Sequence, residues 1–201
     1  VKKTENTKKA KNVIMFLGDG MSHPSIAAAR VYMGDESMKL AFENFPYTAS
    51  SKTYCVDAQV ADSACSGTAY LNGVKTNDGV IGLGARALRG NCAASNDAGM
   101  KTDSIANWAI NAGKDAGVVT TTRITHASPA AAYANIADRD WENDDVITQD
   151  NCSPDTINDI AEQLVHGSVG SKLKVVLGGG SRNFINQTFT EHGVAGSRRD
   201  G

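Results

Sequence analysis

The stretch Val118-Val119-Thr120-Thr121-Thr122-Arg123-Ile124-Thr125-His126-Ala127-Ser128-Pro129 decides the fold of this chain. Its β-branched first half is typical of a strand, and the polar residues that follow are typical of a loop. Pro129 is suited to be the first residue of a helix, where the missing N–H costs nothing. The pattern therefore predicts a strand that leads into a helix, with His126 and Ser128 at the exit of the strand. A lone histidine in a loop is more often an ordinary hydrogen-bonding residue than a ligand, and this is the alternative for His126.

The same alternation of strand and helix extends along the chain on both sides of this stretch. Strands are predicted at Val13–Leu17, Ala49–Tyr54, Val118–Thr122 and Lys174–Leu177, the last ending in Gly178-Gly179-Gly180. Helices are predicted near Ile26–Tyr32, after Ser63, at about Asp103–Ala112 with Thr102 as cap, and from Ser153-Pro154 to about His166. This alternation predicts an α/β fold with a mainly parallel central sheet flanked by helices on both faces. The Gly- and Asn-rich residues Asn72–Gly99 are predicted to form a long surface excursion.

A serine lies where a polar loop becomes a predicted helix, in Asp62-Ser63-Ala64-Cys65-Ser66-Gly67-Thr68-Ala69-Tyr70. At a helix N-terminus the unpaired backbone N–H groups and the positive end of the helix dipole favour an anion. Ser63 is therefore either a nucleophile that faces an anionic substrate or a plain N-cap.

Two further segments place charged side chains in predicted loops. An apolar run that begins at Val13 ends in Gly18-Asp19-Gly20, as a buried parallel strand does when it enters a tight loop. Ligands bind at such strand ends, so Asp19 is a candidate site residue, with an Asx-type turn as the alternative. In Ala137-Asp138-Arg139-Asp140-Trp141, Arg139 lies between two carboxylates. This cluster is either a solvated salt-bridge patch or an arginine oriented to bind phosphate.

Composition excludes some classes of protein. The 201 residues carry a net charge of -2, so the basic surface of a nucleic-acid-binding protein is lacking and we expect no nucleic-acid partner. Hydrophobic residues make up 41%, as in ordinary globular α/β proteins. No apolar run approaches the roughly 20 residues that span a bilayer. The Lys-rich opening lacks the pattern of a signal peptide.

Cysteines and glycosylation motifs bear on the compartment. The 4 cysteines, at positions 55, 65, 92 and 152, fit no zinc-binding spacing, which leaves thiols or disulfides. Sequons occur at Asn151-Cys152-Ser153 and Asn186-Gln187-Thr188, and both are candidate glycosylation sites.

Together these motifs resemble the alkaline phosphatase family, specifically its animal branch. The resemblance runs from about Lys11 to the end of the sequence. It is carried by FLGDGM at Phe16–Met21, TYCVDAQVADSACSGTAYLNGVKTNDGVIG at Thr53–Gly82, VVTTTRITHASPAAAYA at Val118–Ala134, ADRDW at Ala137–Trp141 and KVVLGGGSRNF at Lys174–Phe184. It implies hydrolysis of small phosphate monoesters through a phosphoserine intermediate at a site with Zn²⁺ and Mg²⁺.

The resemblance also implies a role for each candidate residue. Ser63 is the nucleophile that is transiently phosphorylated and that contacts zinc. Asp19 bridges one zinc ion and the magnesium site, Ser128 binds magnesium through its hydroxyl, and His126 neighbours that ion. Arg139 binds the two phosphate oxygens that take no part in the transfer. The chemistry agrees, because a serine hydroxyl is a weak nucleophile until a metal or base activates it.

Further implications concern the whole protein. The resemblance implies a Cys92–Cys152 disulfide and leaves the pairing of Cys55 and Cys65 open. It implies an extracellular setting, secreted or lipid-anchored through a segment outside this chain, and a homodimer at full length. Because alkaline phosphatases are longer, we expect residues 1–201 to be the N-terminal part of a single large catalytic domain. The remaining metal ligands are then expected beyond residue 201, and residues 1–201 alone are expected to be inactive.

Alternative functions are separable on sequence. A catalytically silent fragment or structural relative would keep the half-fold without the full metal site. A sulfatase is disfavoured, because the Cys-x-Pro-x-Arg motif is absent around Ser63. A phosphodiesterase of the same superfamily usually has threonine as nucleophile and lacks an arginine equivalent to Arg139.

Overall fold

The computed structural model describes residues 8–200, and the chain divides into two units on either side of Ser50 and Ser51. The first unit contains helix α1 at His23–Met33 and a 3-10 helix at Ala41–Asn44. Ser22 caps α1, and Arg30 in its last turn forms an ion pair with Glu43. The helix predicted near residues 26–32 is confirmed. None of residues 8–50 is fully buried.

Two of the four predicted strands are wrong. Within the described chain neither Val13–Leu17 nor Ala49–Tyr54 pairs with a strand, and both are irregular backbone. The side chains of residues 13–17 are 46–89% exposed. An apolar run predicts only that a segment is suited to a sheet, whereas the ladder also requires a neighbouring strand. The tight loop after this run is present, because Met21 N donates to Gly18 O at 3.2 Å and Gly20 has a φ of 66°.

The second unit contains the parallel sheet. Strand β1, Gly117–Arg123, pairs in parallel with β2, Val175–Gly179. The register places Gly117 opposite Val175 and becomes irregular before Arg123. A short antiparallel pair follows, with β3 at Thr190–Glu191 and β4 at Val194–Ala195. The predictions of strands at 118–122 and 174–177 are confirmed, and so is the α/β class with parallel pairing.

Six α-helices belong to the second unit, as far as the structure describes it. They are α2 Ser63–Asn72, α3 Cys92–Asn96, α4 Ile105–Asn111, α5 Ala127–Ala130, α6 Asp144–Gln149 and α7 Ile160–Val165. Two 3-10 helices lie at Gly170–Lys172 and Ser181–Phe184. Over residues 8–200, no helix is both long and apolar enough to cross a membrane.

Several predicted helix starts need correction. Ser104 caps α4, whereas the hydroxyl of Thr102, the predicted cap, donates to the carbonyl of Gly82 at 2.8 Å. Helix α7 begins only after its cap Asp159, and residues 154–157 before it form turns and a bend. Pro129 is the third residue of the short α5 rather than the first. The side chains of Ser104 and Asp159 each accept an N–H of the first helical turn, and this fixes where α4 and α7 begin. The start of α5 differs from the prediction by two residues, as helix ends commonly do.

The prediction of a surface excursion over residues 72–99 is wrong. Val80, Ile81 and Leu83 are fully buried in the core of the second unit, beside Trp141. Ile81 and Ile136 exchange two backbone hydrogen bonds, of 3.0 and 2.8 Å. Four glycines of this stretch have φ values of 64–74°, so the chain turns at these positions while the apolar residues between them are buried.

Both disulfides lie in the second unit. Cys92 in α3 is bonded to Cys152 after α6, which confirms the pairing that the resemblance implies. Cys55 is bonded to Cys65 in α2, so the pairing that the sequence left open is present. All 4 cysteines of the chain are therefore used in disulfides.

A buried carboxylate joins the ends of the two parallel strands. Glu142 accepts from Arg123 Nε at 2.8 Å, from Thr125 Oγ1 at 2.5 Å and from Asn183 Nδ2 at 2.7 Å. Burial alone would raise the pKa of Glu142, but the hydrogen bonds from Arg123 and Thr125 outweigh it and lower the pKa below its ordinary value of 4.5. Glu142 is therefore ionised at neutral pH and connects β1 to the 3-10 helix that follows β2.

Breaking the Cys92–Cys152 bond should destabilise the fold. The bond spans 60 positions, and closing a loop of that size is worth about 4 kcal/mol in the chain-entropy model. We expect Cys92→Ala/Cys152→Ala to lose several kcal/mol of unfolding free energy in a denaturant titration. Non-reducing peptide mapping of the parent protein should recover the linked peptides, and two free thiols would contradict the pairing.

Replacing Glu142 should remove an acid-sensitive part of the stability. Because its pKa is lowered by folding, Glu142 stabilises the fold above pH 4.5, and this contribution is lost as the pH falls through the folded pKa. At pH 7, Glu142→Gln should cost about 2–4 kcal/mol, since Arg123 loses its partner. The difference from the parent should shrink in unfolding titrations below pH 4. Exposed Glu191→Gln is the control, and a pH-independent difference for Glu142→Gln would contradict the assignment.

Candidate active site

The N-terminus of α2 carries the candidate nucleophile. Asp62 is the N-cap, and its Oδ1 accepts a hydrogen bond from Cys65 N at 2.9 Å. Ser63 is the first residue of the helix and is half-buried. The N-cap interpretation of Ser63 is therefore wrong, because the residue before it fills that position.

Helices α2 and α5 pack closely against each other. Gly67 of α2 lies against α5, and a Cβ at this position would come within 3.0 Å of the Cβ of Ala131. Thr68 Oγ1 donates to Ala64 O at 3.0 Å and accepts from Gly82 N at 2.9 Å, which fixes α2 against the core. The close approach explains the small residues of this helix.

Arg139 joins the two helix starts. Its Nη1 donates to Asp62 Oδ2 at 2.8 Å, and its Nη2 lies 3.1 Å from Nε2 of His126, the N-cap residue of α5. Since a guanidinium only donates hydrogen bonds, the imidazole accepts at Nε2. The backbone N–H of Arg139 donates to Gly79 O at 2.8 Å. The structure thus brings together Arg139, His126 and the residue that precedes Ser63.

The two acids that flank Arg139 bind a different arginine. Arg89 Nε donates to Asp138 at 3.0 Å, and Arg89 Nη2 donates to Asp140 at 2.6 Å. The side chain of Arg89 passes over Gly79, where φ is +74° and an added Cβ would collide with it. The salt-bridge interpretation of this cluster therefore holds for Asp138 and Asp140, while Arg139 has Asp62 as its acidic partner.

Charges at the site are fixed by these contacts. Burial would raise the pKa of Asp62, but hydrogen bonds from the Cys65 N–H, from Arg139 and from two further backbone N–H groups lower it. Burial and the neighbouring charge of Asp62 raise the pKa of Asp78. Asp62 is thus a stable anion at neutral pH, and it fixes the guanidinium of Arg139 in one orientation.

The two remaining candidates are Ser128, in the second unit, and Asp19, in the first. Ser128 is the second residue of α5 and is buried, two residues after His126. Asp19 lies in the turn of the first unit and is exposed, and its role stays a prediction.

The donor atoms of the candidate residues fit the two implied metals differently. Over residues 8–200, the one group of His, Cys, Asp or Glu atoms close enough to share an ion is Cys55, Asp62 and Cys65. It is no metal site, because both sulfurs are in a disulfide and Asp62 binds Arg139. The carboxylate and hydroxyl oxygens of Asp19 and Ser128 are the hard donors that Mg²⁺ prefers. Zinc sites require three or four ligands drawn from His, Cys and carboxylates, and the described residues do not hold such a set.

The sequence did not single out Asp62 or Arg89 as site residues, and it left the pairing of Cys55 with Cys65 open. Asp62 carried a signal, because aspartate is among the best N-cap residues and directly precedes the predicted helix. Arg89 carried none, since its partners lie 49 and 51 positions away.

Comparison with known proteins places this site in a family. The model of the alkaline phosphatase family matches residues 10–201. A membrane-bound alkaline phosphatase of Bombyx mori is 50% identical over 199 residues, covering 96% of this chain and 36% of that protein. The human tissue-nonspecific isozyme of alkaline phosphatase is 44% identical over 208 residues, covering 98% of this chain and 39% of that protein.

A solved structure agrees with the sequence relatives. The cold-active alkaline phosphatase from the psychrophile Shewanella sp. superposes with a TM-score of 0.61 at 26% identity, covering 85% of this chain and 36% of that one. This likeness confirms the α/β fold class. The chain spans well under half of the length of the curated relatives it matches. With its Ser63 motif, Arg139 and nearly its whole length inside the family match, this chain belongs to the alkaline phosphatase family.

Proposed function

We propose that the full-length protein hydrolyses phosphate monoesters through a phosphoserine at Ser63. Family membership supports the reaction class. The observation that carries the assignment is Arg139, which lies beside the start of α2 with its guanidinium held by Asp62 and His126. A fixed guanidinium next to a helix-terminal serine is suited to an anionic phosphoryl group.

The proposed chemistry has two displacements at phosphorus. Ser63 Oγ loses its proton and forms a bond to phosphorus as the ester O–P bond breaks, and the departing alkoxide takes up a proton to become the alcohol. Water then attacks the phosphoserine, which releases inorganic phosphate and restores the hydroxyl. Arg139 binds two non-bridging oxygens and stabilises the charge spread over them in the transition state.

The proposed cofactors are Mg²⁺ and Zn²⁺. Asp19 and Ser128 are the proposed magnesium ligands, with His126 as a neighbour of that ion, and Asp19 and Ser63 are the proposed zinc contacts. When bound, the metals supply a Lewis acid that makes a coordinated hydroxyl a better nucleophile. The proposal of zinc as a cofactor rests on the resemblance, because the described residues do not hold a set of zinc ligands.

The setting of the enzyme is proposed on the same basis. Residues 1–201 are proposed to belong to a single large catalytic domain that forms a homodimer at full length, with small phosphomonoesters as substrates. Two disulfides and the sequons at Asn151 and Asn186 support an extracellular location. Attachment to a membrane is proposed because the Bombyx mori relative is named membrane-bound. The resemblance implies that a lipid anchor outside residues 1–201 provides it.

Removing the nucleophile should abolish the covalent intermediate. We expect Ser63→Ala in the full-length protein to lower turnover of p-nitrophenyl phosphate by several orders of magnitude. Labelled phosphate trapped at acid pH should appear on the Ser63 peptide of the parent only. Ser66→Ala is the matched control on the same helix, and it should keep most of the activity. Labelling of another residue would contradict the assignment.

Removing the guanidinium should weaken phosphate binding. We expect Arg139→Ala to raise KM and the inhibition constant of inorganic phosphate, at a cost of about 1–3 kcal/mol for lost charge-assisted hydrogen bonds. Metal content measured by elemental analysis should hardly change, because arginine is not a metal ligand. Exposed Arg86→Ala serves as the control. Unaltered inhibition by phosphate would place Arg139 among the merely structural ion pairs.

A further inference from the structure

The Cys55–Cys65 disulfide encloses the candidate nucleophile in a short loop of the chain. It closes a loop over 10 positions with a Cα–Cα distance of 5.7 Å, and Ser63 lies within that loop. Both cysteines are buried, with exposures of 2% and 1%. Cys65 is the third residue of α2, so the bond fixes the first turn of this helix to the segment before it.

Cys65 is also the residue that fixes the side chain of Asp62. Its backbone N–H donates to Asp62 Oδ1 at 2.9 Å, while the other carboxylate oxygen accepts from Arg139 at 2.8 Å. A displacement of the Cys65 backbone therefore acts on Arg139 through a single carboxylate. Two contacts separate the disulfide from the guanidinium.

The opposite end of the loop is attached to the segment that also holds Arg139. Val56 N donates to Thr76 O at 2.9 Å, and Asp57 accepts from Asp78 N at 2.8 Å. One residue further along, Gly79 O accepts the backbone N–H of Arg139 at 2.8 Å. Residues 76–79 therefore contact both the loop and Arg139. The disulfide attaches this same part of the loop to the first turn of α2.

We propose that the Cys55–Cys65 disulfide is a positioning device for phosphate binding, which holds Asp62, and through it Arg139, in the geometry that binds phosphate oxygens. The inference rests on the proposed function, because it assumes that Arg139 binds phosphate. It assigns to this disulfide an effect on affinity for phosphate in addition to stability. The Cys92–Cys152 bond should lack that effect, since it joins α3 to the chain after α6 and does not connect to Asp62.

The two disulfides allow a matched comparison in the full-length protein. We would compare Cys55→Ala/Cys65→Ala with Cys92→Ala/Cys152→Ala by thermal unfolding, metal content and inhibition by inorganic phosphate. Both variants should unfold at lower temperature than the parent. Only the first should raise the phosphate inhibition constant, by roughly three- to tenfold, because the charge-assisted bonds of Arg139 are misaligned. An unchanged or equally raised constant in both variants would overturn the proposal.

A combined variant separates positioning from general loosening. In an Asp62→Ala background the loss of the disulfide should raise the phosphate inhibition constant by less than in the parent, because the connection through Asp62 is already absent. Independent, multiplying effects would contradict this route. If the alanine pair does not fold, stepwise reduction of the native protein with dithiothreitol replaces it, with alkylation and peptide mapping identifying which bond is open. Unchanged phosphate inhibition in the species with Cys55–Cys65 open would again overturn the proposal.

Direct binding distinguishes this inference from the proposed function. Isothermal titration of the parent with inorganic phosphate reports affinity without turnover. A parent that neither hydrolyses p-nitrophenyl phosphate nor binds phosphate would refute the proposed function itself. A parent that does both, with an affinity that opening Cys55–Cys65 leaves unchanged, would refute only the role of the disulfide.

Discussion

The carboxylate of Asp62 is the group on which the candidate site depends. One of its oxygens caps α2 through Cys65 N, and the other accepts from Arg139. A cap is worth about 1 kcal/mol and a charge-assisted hydrogen bond about 1.5–3 kcal/mol, so neither contact alone would fix the geometry strongly. Since both contacts use one half-buried group, the start of the helix and the guanidinium move together. The orientation of Arg139 is thereby tied to the position of Ser63.

The ends of the two parallel strands depend on a second carboxylate that accepts several hydrogen bonds. Glu142 accepts hydrogen bonds from Arg123 at the end of β1 and from Asn183 after β2. With only two parallel strands in the described chain, the ladder itself gives little rigidity at the ends of the strands. Glu142 replaces part of that rigidity with charge-assisted bonds in a buried position. The loop that begins after β1 and leads to His126 therefore starts from a fixed point.

Local patterns predicted the elements that depend on local interactions. The β-branched run of β1 and the small residues of α2 gave the correct element at the correct place. Residues 13–17 are more apolar than β1 but have no strand partner in the described structure, because pairing depends on residues distant in the sequence. Residues 72–99 were misjudged for the opposite reason. Their Gly and Asn content predicted a surface segment, whereas Ile81 is buried in the core and forms backbone hydrogen bonds with Ile136.

The candidate site shows the same division between local and distant information. Sequence motifs identified Ser63 and Arg139 by residue type, but the pairing of charges around Arg139 was not predictable from the pentapeptide that contains it. Both neighbouring acids bind Arg89, so Arg139 is left with an acidic partner 77 positions away. Had Asp138 or Asp140 bound it, the guanidinium would be tied to its own loop instead of to α2. The binding of the adjacent acids by Arg89 is therefore what allows Asp62 to set the direction of Arg139.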